Sequence, residues 1–141
     1  MQTSVAFPLS LINRILAQAA ASPTAEVCGL VAGREGRPTR CIPIDNIASQ
    51  PRQAFALDPR QQIAALRQMR EQGETLFAIY HSHPDTPALP SAKDLEQAAY
   101  PDSLYLIVSL GTTGTLQLRG FHFAAGAMHP VDILVADEIP L

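Results

Sequence analysis

The sequence predicts a single α/β (α+β) domain: a mixed central β-sheet with about three helices packed on it. Two observations carry this expectation. Short apolar runs bounded by Gly, Pro and Asp are interspersed with amphipathic stretches, but not in the regular βαβ alternation of a parallel sheet. The chain has 141 residues, of which 47% are hydrophobic and 16% charged. That is one domain's length with enough apolar material for a sizeable core, and it is not a disordered composition. The domain is taken to span residues 1–141.

The elements follow from local chemistry. Leu9, Ile12, Leu16 and Ala19 recur at helical spacing, so a helix is predicted over 8–21. Pro8 suits its first turn and Ser22-Pro23 stops it. VCGLVAG (27–33) reads as a buried strand, REGRP as a turn and TRCIPID (39–45) as the returning strand. NIASQPRQAF (46–55) reads as an irregular loop. Asp58-Pro59 places an N-cap and an N1 proline at the head of a second helix. Its buried face is read as Ile63, Leu66 and Met69, and Gly73 closes it. TLFAIY (75–80) is a strand that leads into two histidines. Ser91 starts a third helix, which ends before Pro101. SLYLIVSL (103–110) is a core strand, 111–114 a turn, and TLQLRGFHF (115–123) and VDILVA (131–136) the last two strands.

Several function classes are disfavoured. Net charge is −3 and no basic run suggests nucleic acid as the main partner. The N-terminal residues lack a positive region before an apolar stretch, so no signal peptide is expected. No run approaches the ~18 apolar residues of a membrane span. Two cysteines, Cys28 and Cys41, sit in apolar surroundings and are expected to be reduced and non-catalytic, which fits a cytoplasmic protein.

Chemistry concentrates in residues 81–94, HSHPDTPALPSAKD. In a strand, residues i and i+2 point to one face, so His81 and His83 project together, with Phe77 and Ile79 beneath them. Two imidazoles at a strand end can share one metal ion. A catalytic zinc takes three protein ligands and keeps a fourth position for water. A proline-containing loop can bring the first turn of the next helix back to the strand end, where Asp94 would face the histidines. Bland readings compete. A His-x-His pair arises by chance, and Ser91-x-x-Asp94 is also a capping box. Ser82 has the opposite parity and reads as structural. His122 reads as a core or rim residue and His129 as part of a turn, neither with a metal role.

His81-Ser82-His83-Pro84 and Ser91-x-x-Asp94, with seven residues between His83 and Ser91, resemble the signature of the JAMM (MPN+) metalloproteases. Glu26 in AEVCGLVAG stands where that family carries an upstream glutamate. The resemblance covers residues ~8–123 and implies the JAMM/MPN, cytidine-deaminase-like fold. It implies one Zn²⁺ per chain, held by His81, His83 and Asp94 with water as fourth ligand. It implies Glu26 as general base and Ser91 as a hydrogen-bond donor in the transition state. From the residues alone, Glu26 is a solvated carboxylate at a strand start, and Asp45, Asp58, Asp85 and Asp102 compete with it. HExxH is absent, so the chain is no zincin, and PCxxC is absent, so it is no nucleobase deaminase.

The activity implied is a zinc-dependent peptidase or isopeptidase acting after the Gly-Gly tail of a ubiquitin-like or sulfur-carrier protein. A metal-dependent hydrolase of small amides and a non-catalytic MPN binding module are the alternatives. The oligomeric state is open, a homodimer included.

Overall fold

The computed structural model describes residues 3–98, 100, 103–111 and 116–136. Pro101, Asp102 and most of the turn expected over 111–114 lie outside the described residues, as does the start of the strand read from Thr115. Ten elements follow in order: β1 (Ser4–Pro8), α1 (Leu9–Ala20), β2 (Cys28–Arg34), β3 (Arg37–Ile44), α2 (Pro59–Glu71), β4 (Thr75–His83), α3 (Ala92–Gln97), β5 (Leu104–Ser109), β6 (Gln117–Ala124) and β7 (Ala127–Ala136). The strands form one seven-stranded sheet ordered β1-β7-β6-β5-β4-β2-β3. β4 and β5 are parallel, as are β1 and β7, and the other pairs are antiparallel. The mixed sheet with three helices agrees with the expectation.

Two hairpins have two-residue turns. Glu35 and Gly36 join β2 to β3 with φ of 54° and 76°, and Ala125 and Gly126 join β6 to β7 with φ of 53° and 76°. Positive φ at both positions matches the twist of the flanking strands. Glycine supplies it without strain at the second position of each turn.

The sheet is buried on both faces. On one, Leu11, Ile12, Ile15 and Ala19 of α1 pack with Val5, Phe7, Val31, Ala78, Tyr80, Leu106 and Val108. On the other, Ala65 and Met69 of α2 pack with Leu30, Ala32, Ile44, Ile79 and Tyr105. A Cβ at Gly29 would lie 2.3 Å from the Tyr80 hydroxyl. The glycine lets Tyr80 cross β2 and donate to Gln18 Oε1 at 2.5 Å.

Several local expectations need correction. Leu9 is exposed; Ile12 and Ala19 are buried as read, and Leu11 and Ile15 join them. Ile63 is 59% exposed, whereas Ala65 and Met69 are buried. Ile63 and Ala65 are two residues apart, about 200° around a helix, so only one can face the sheet. Phe77 lies on the α1 face, edge-on to Phe7 at 5.7 Å. A register shift in the β2–β4 pairing, from Val31↔Ala78 to Ala32↔Leu76, inserts Phe77 as an extra residue and breaks the simple alternation. β1 was not expected, because SVAFP merges into the helix signal at Pro8. β7 begins at Ala127, so His129 is a strand residue opposite His122 and not part of a turn.

Candidate metal centre

β4 runs three residues further than its apolar run suggests, through His81-Ser82-His83. Pairing with β5 on one side and β2 on the other buries this end of the strand. His81 is 2% exposed and His83 4%. Their Nε2 atoms converge to 3.1 Å.

The connection to α3 folds back tightly. Leu110 N–H donates to His83 O and Ser109 Oγ to Thr86 O, at 3.0 and 2.6 Å. A Cβ at Gly111 would stand 2.8 Å from the Asp85 backbone, so the loop approaches the end of β5 as closely as glycine permits. Ala88 is fully buried beneath it. This geometry returns the first turn of α3 to the histidines. Asp94 Oδ1 lies 3.2 Å from His81 Nε2, and Oδ2 lies 3.1 Å from His83 Nε2. The capping box is also formed: Asp94 N–H donates to Ser91 Oγ and Ser91 N–H to Asp94 Oδ2. The two readings of Ser91-x-x-Asp94 are therefore compatible, because one carboxylate does both. Ser91 Oγ accepts one bond there, which leaves its O–H able to donate.

Glu26 is brought in from the loop before β2. Its N–H donates to Pro51 O, and its carbonyl accepts from Asn46 Nδ2. The next residue is clamped to β4, with Val27 N–H donating to Ser82 Oγ at 2.8 Å and Ser82 N–H to Val27 O at 3.0 Å. Ser82 thus holds the glutamate's segment against the histidine strand. The Glu26 side chain is 5% exposed rather than solvated, and its Oε1 has no hydrogen-bond partner. Glu26, His81 and His83 place ligand atoms within 4.8 Å of one another.

The electrostatics suit a cation. Burial raises the Glu26 pKa to about 7, the histidine charge offsetting part of this. Burial would likewise raise Asp94, but hydrogen bonds from His81 and His83 outweigh it and hold the carboxyl far below its usual range. Burial lowers His81. It would lower His83 too, but hydrogen bonds to Asp94 and Pro87 raise it. His83 Nδ1 lies 2.9 Å from Pro87 O, which can only accept, so Nδ1 carries a proton; Nε2 becomes a ligand atom when a cation displaces the proton it shares with Asp94.

Two imidazole nitrogens and a carboxylate facing one point is a donor set of divalent-metal type. Tetrahedral zinc ligands lie about 3.3 Å apart along each edge, given bond lengths near 2.0–2.1 Å. The 3.1 Å between the two Nε2 atoms fits one such edge, and Asp94 reaches each imidazole through a different oxygen, at 3.2 and 3.1 Å.

Three of the four competing aspartates have separate work, and Asp102 lies outside the described residues. Asp58 caps α2, Asp45 accepts from Gln61 and Asp85 pairs with Arg52. Cys28 donates to Ile44 O, and burial pushes its thiol up to about 12. Neither His122 nor His129 belongs to the group formed by Glu26, His81 and His83.

The family described as prokaryotic homologs of the JAB domain matches residues 8–120. The chain belongs to that family. It is 38% identical over 102 residues to a desampylase of Haloferax volcanii, covering 71% of this chain and 73% of that one. It is 36% identical over 128 residues to a CysO-cysteine peptidase of Mycobacterium tuberculosis, covering 88% and 87%. A solution structure of a Desulfitobacterium hafniense protein superposes with a TM-score of 0.84 at 32% identity, over 96% and 94% of the two chains. The resemblance and the peptidase class expected from the sequence are borne out by these relatives. No described helix is long and apolar enough to cross a membrane.

Proposed function

We propose that this chain is a zinc-dependent peptidase or isopeptidase that hydrolyses the amide bond after the Gly-Gly tail of a ubiquitin-like or sulfur-carrier protein. One observation carries the reading: a buried glutamate whose Oε1 has no hydrogen-bond partner stands beside two imidazoles that share a carboxylate. His81, His83 and Asp94 would hold the ion, one per chain. Zinc bound there would supply Lewis acidity toward the scissile carbonyl and make water more acidic. Asp94 is preferred to Glu26 as the third ligand because it alone contacts both histidines at 3.1–3.2 Å.

Glu26 is the general base. A carboxylate with a raised pKa takes a proton from water and returns it to the leaving amine. Its aliphatic stem and the burial around it keep that proton from bulk solvent. Ser91 donates its O–H to the oxygen that becomes negative, a contact worth about 3 kcal/mol in comparable sites. The substrate class draws support from the relatives named desampylase and CysO-cysteine peptidase.

A groove of about 250 Å³ leads away from the centre, lined by Phe55, Ala56, Leu57, Ile79, Tyr100 and Tyr105 among others. An extended tail lies along it and bonds through its main chain, which is how a segment without side chains gains affinity. Glycines let that backbone approach the ion closely.

The test is incubation with a Gly-Gly carrier fusion, read by intact mass. Glu26→Gln should keep bound zinc and lose most turnover. Activity within about tenfold of wild type, equivalent to ~1.4 kcal/mol, would assign the proton to another group. Replacing the tail by Ala-Ala should lower kcat/KM strongly. Equal rates for the two tails would favour a looser amidase site.

A further inference from the structure

The two histidines are held in different ways. His83 is fixed by a hydrogen bond from Nδ1 to Pro87 O at 2.9 Å. A metal-binding histidine usually has its far nitrogen anchored like this, which sets both tautomer and ring angle. His81 has no such anchor. Its Nδ1 is buried and has no hydrogen-bond partner. Something else must hold the ring.

Phe55 lies flat on it, with centroids 4.3 Å apart and planes inclined by 21°. The surroundings of His81 are apolar and tight: Tyr105, Ile107, Phe121 and Met128 line the small space beside it, together with Phe55. Phe55 itself comes from the segment that the sequence shows only as an irregular loop. Asn46 explains why that segment is ordered. Its Oδ1 accepts from Ala56 N–H and its Nδ2 donates to Ala54 O, so the residues on both sides of Phe55 are pinned, each bond 3.0 Å. Ile47 N–H adds a bond to Ala56 O, and Asn46 and Leu57 form an isolated bridge. The same Asn46 amide binds Glu26 O.

We infer that Phe55 is the positioning residue of His81: its flat ring, pinned through Asn46, replaces the hydrogen bond that His81 lacks and sets the ring angle for metal binding. This rests on the metal reading given above. A stacked ring fixes the imidazole plane while allowing slight sliding within it. His83, anchored by a directional bond, has no such freedom. The same ring separates the metal centre from the groove proposed for the tail, since it lines both.

The experiment measures zinc dissociation constants on the full chain by competition with a chromophoric chelator. Wild type is compared with Phe55→Tyr, Phe55→Leu and Phe55→Ala, and thermal melts of the metal-free proteins confirm that each is folded. Phe55→Tyr should bind within about threefold of wild type, Phe55→Leu about tenfold more weakly and Phe55→Ala more weakly still, in the range seen when the outer support of a ligand is removed. In parallel, the His81 ring-proton resonances of the metal-free protein should move downfield in Phe55→Leu and Phe55→Ala, because the aromatic face no longer shields them. Zinc bound equally by wild type and Phe55→Leu would overturn the role given to Phe55, and so would unmoved His81 resonances. Wild-type protein that binds no zinc would sink the metal reading itself, and the resonance shifts would still judge the stack.

Discussion

Glu26 shows how far a single side chain can depart from what its neighbours in sequence suggest. It precedes an apolar strand and reads as a solvated carboxylate, yet it is 5% exposed. The cause is a contact 55 residues away, Val27 to Ser82, which no local pattern contains. Only the resemblance to a known signature singled it out. His81, His83 and Asp94 were legible from the residues themselves, because strand parity and a capping turn are local facts. Phe55 was not: a stack on His81 depends on the path of a loop that has no periodicity to read. Burial of Glu26 has a measurable consequence. Its folded pKa is about 7 against an ordinary 4.5. The unfolded chain therefore ionises first, and stability falls as pH rises from about 4.5 to about 7. Metal-free Glu26→Gln lacks this penalty. It should melt higher than metal-free wild type at pH 8 and at the same temperature near pH 4. Equal melting temperatures at pH 8 would mean that Glu26 is better solvated than its surroundings indicate.

At the scale of elements, α2 separates what pattern can and cannot show. Its start was legible, since Asp58 accepts from Arg60 and Gln61 N–H groups and Pro59 needs no partner for its missing N–H. Its inward face was legible in part: Met69 is buried and Leu66 packs beside it as read, but Ile63 does not. Ile63 is the more hydrophobic residue, but packing against the sheet selects the smaller Ala65 together with Met69. Close approach of a helix to a sheet favours a short side chain at the contact, and the apolar spacing carries no information about that distance. Ile63→Gln should therefore change stability by no more than about 0.5 kcal/mol, as exposed substitutions do. Ala65→Gln should destabilise by about 1–3 kcal/mol through overpacking. Urea melts of the two variants decide between the faces, and the reverse ranking would restore the pattern-based assignment. The exposed Ile63 also leaves an apolar side chain on the outer surface of the helix.

For the whole molecule, the sequence shows strands and helices in order but not which strands are neighbours. Parallel pairing of β1 with β7 joins the two ends of the chain, and β2 lies between β3 and β4 although β3 follows it directly. Such long-range choices are made by burial on both faces of the sheet, which short apolar runs satisfy in several arrangements. One ion pair reports on this arrangement. Glu74, just before β4, is 8% exposed and accepts from Arg40 and Thr39 of β3, with a shortest Arg40 contact of 2.9 Å. The contact passes across β2 and ties three strands at one end of the sheet. Hydrogen bonds from Arg40 lower the Glu74 pKa from its ordinary 4.5, with burial opposing them. The sign is opposite to that of Glu26. Here the unfolded chain takes up its proton first as pH falls, so the stabilisation is complete well above pH 4.5 and is lost progressively below it. Glu74→Gln keeps the shape and removes the charge. It should melt below wild type at pH 7, and the gap should close on going to about pH 3, when the wild-type carboxylate is itself being neutralised. A gap that stays constant from pH 7 to pH 3 would show that Glu74 contributes through shape and neutral hydrogen bonds alone, and that the charge across β2 does not hold the sheet together.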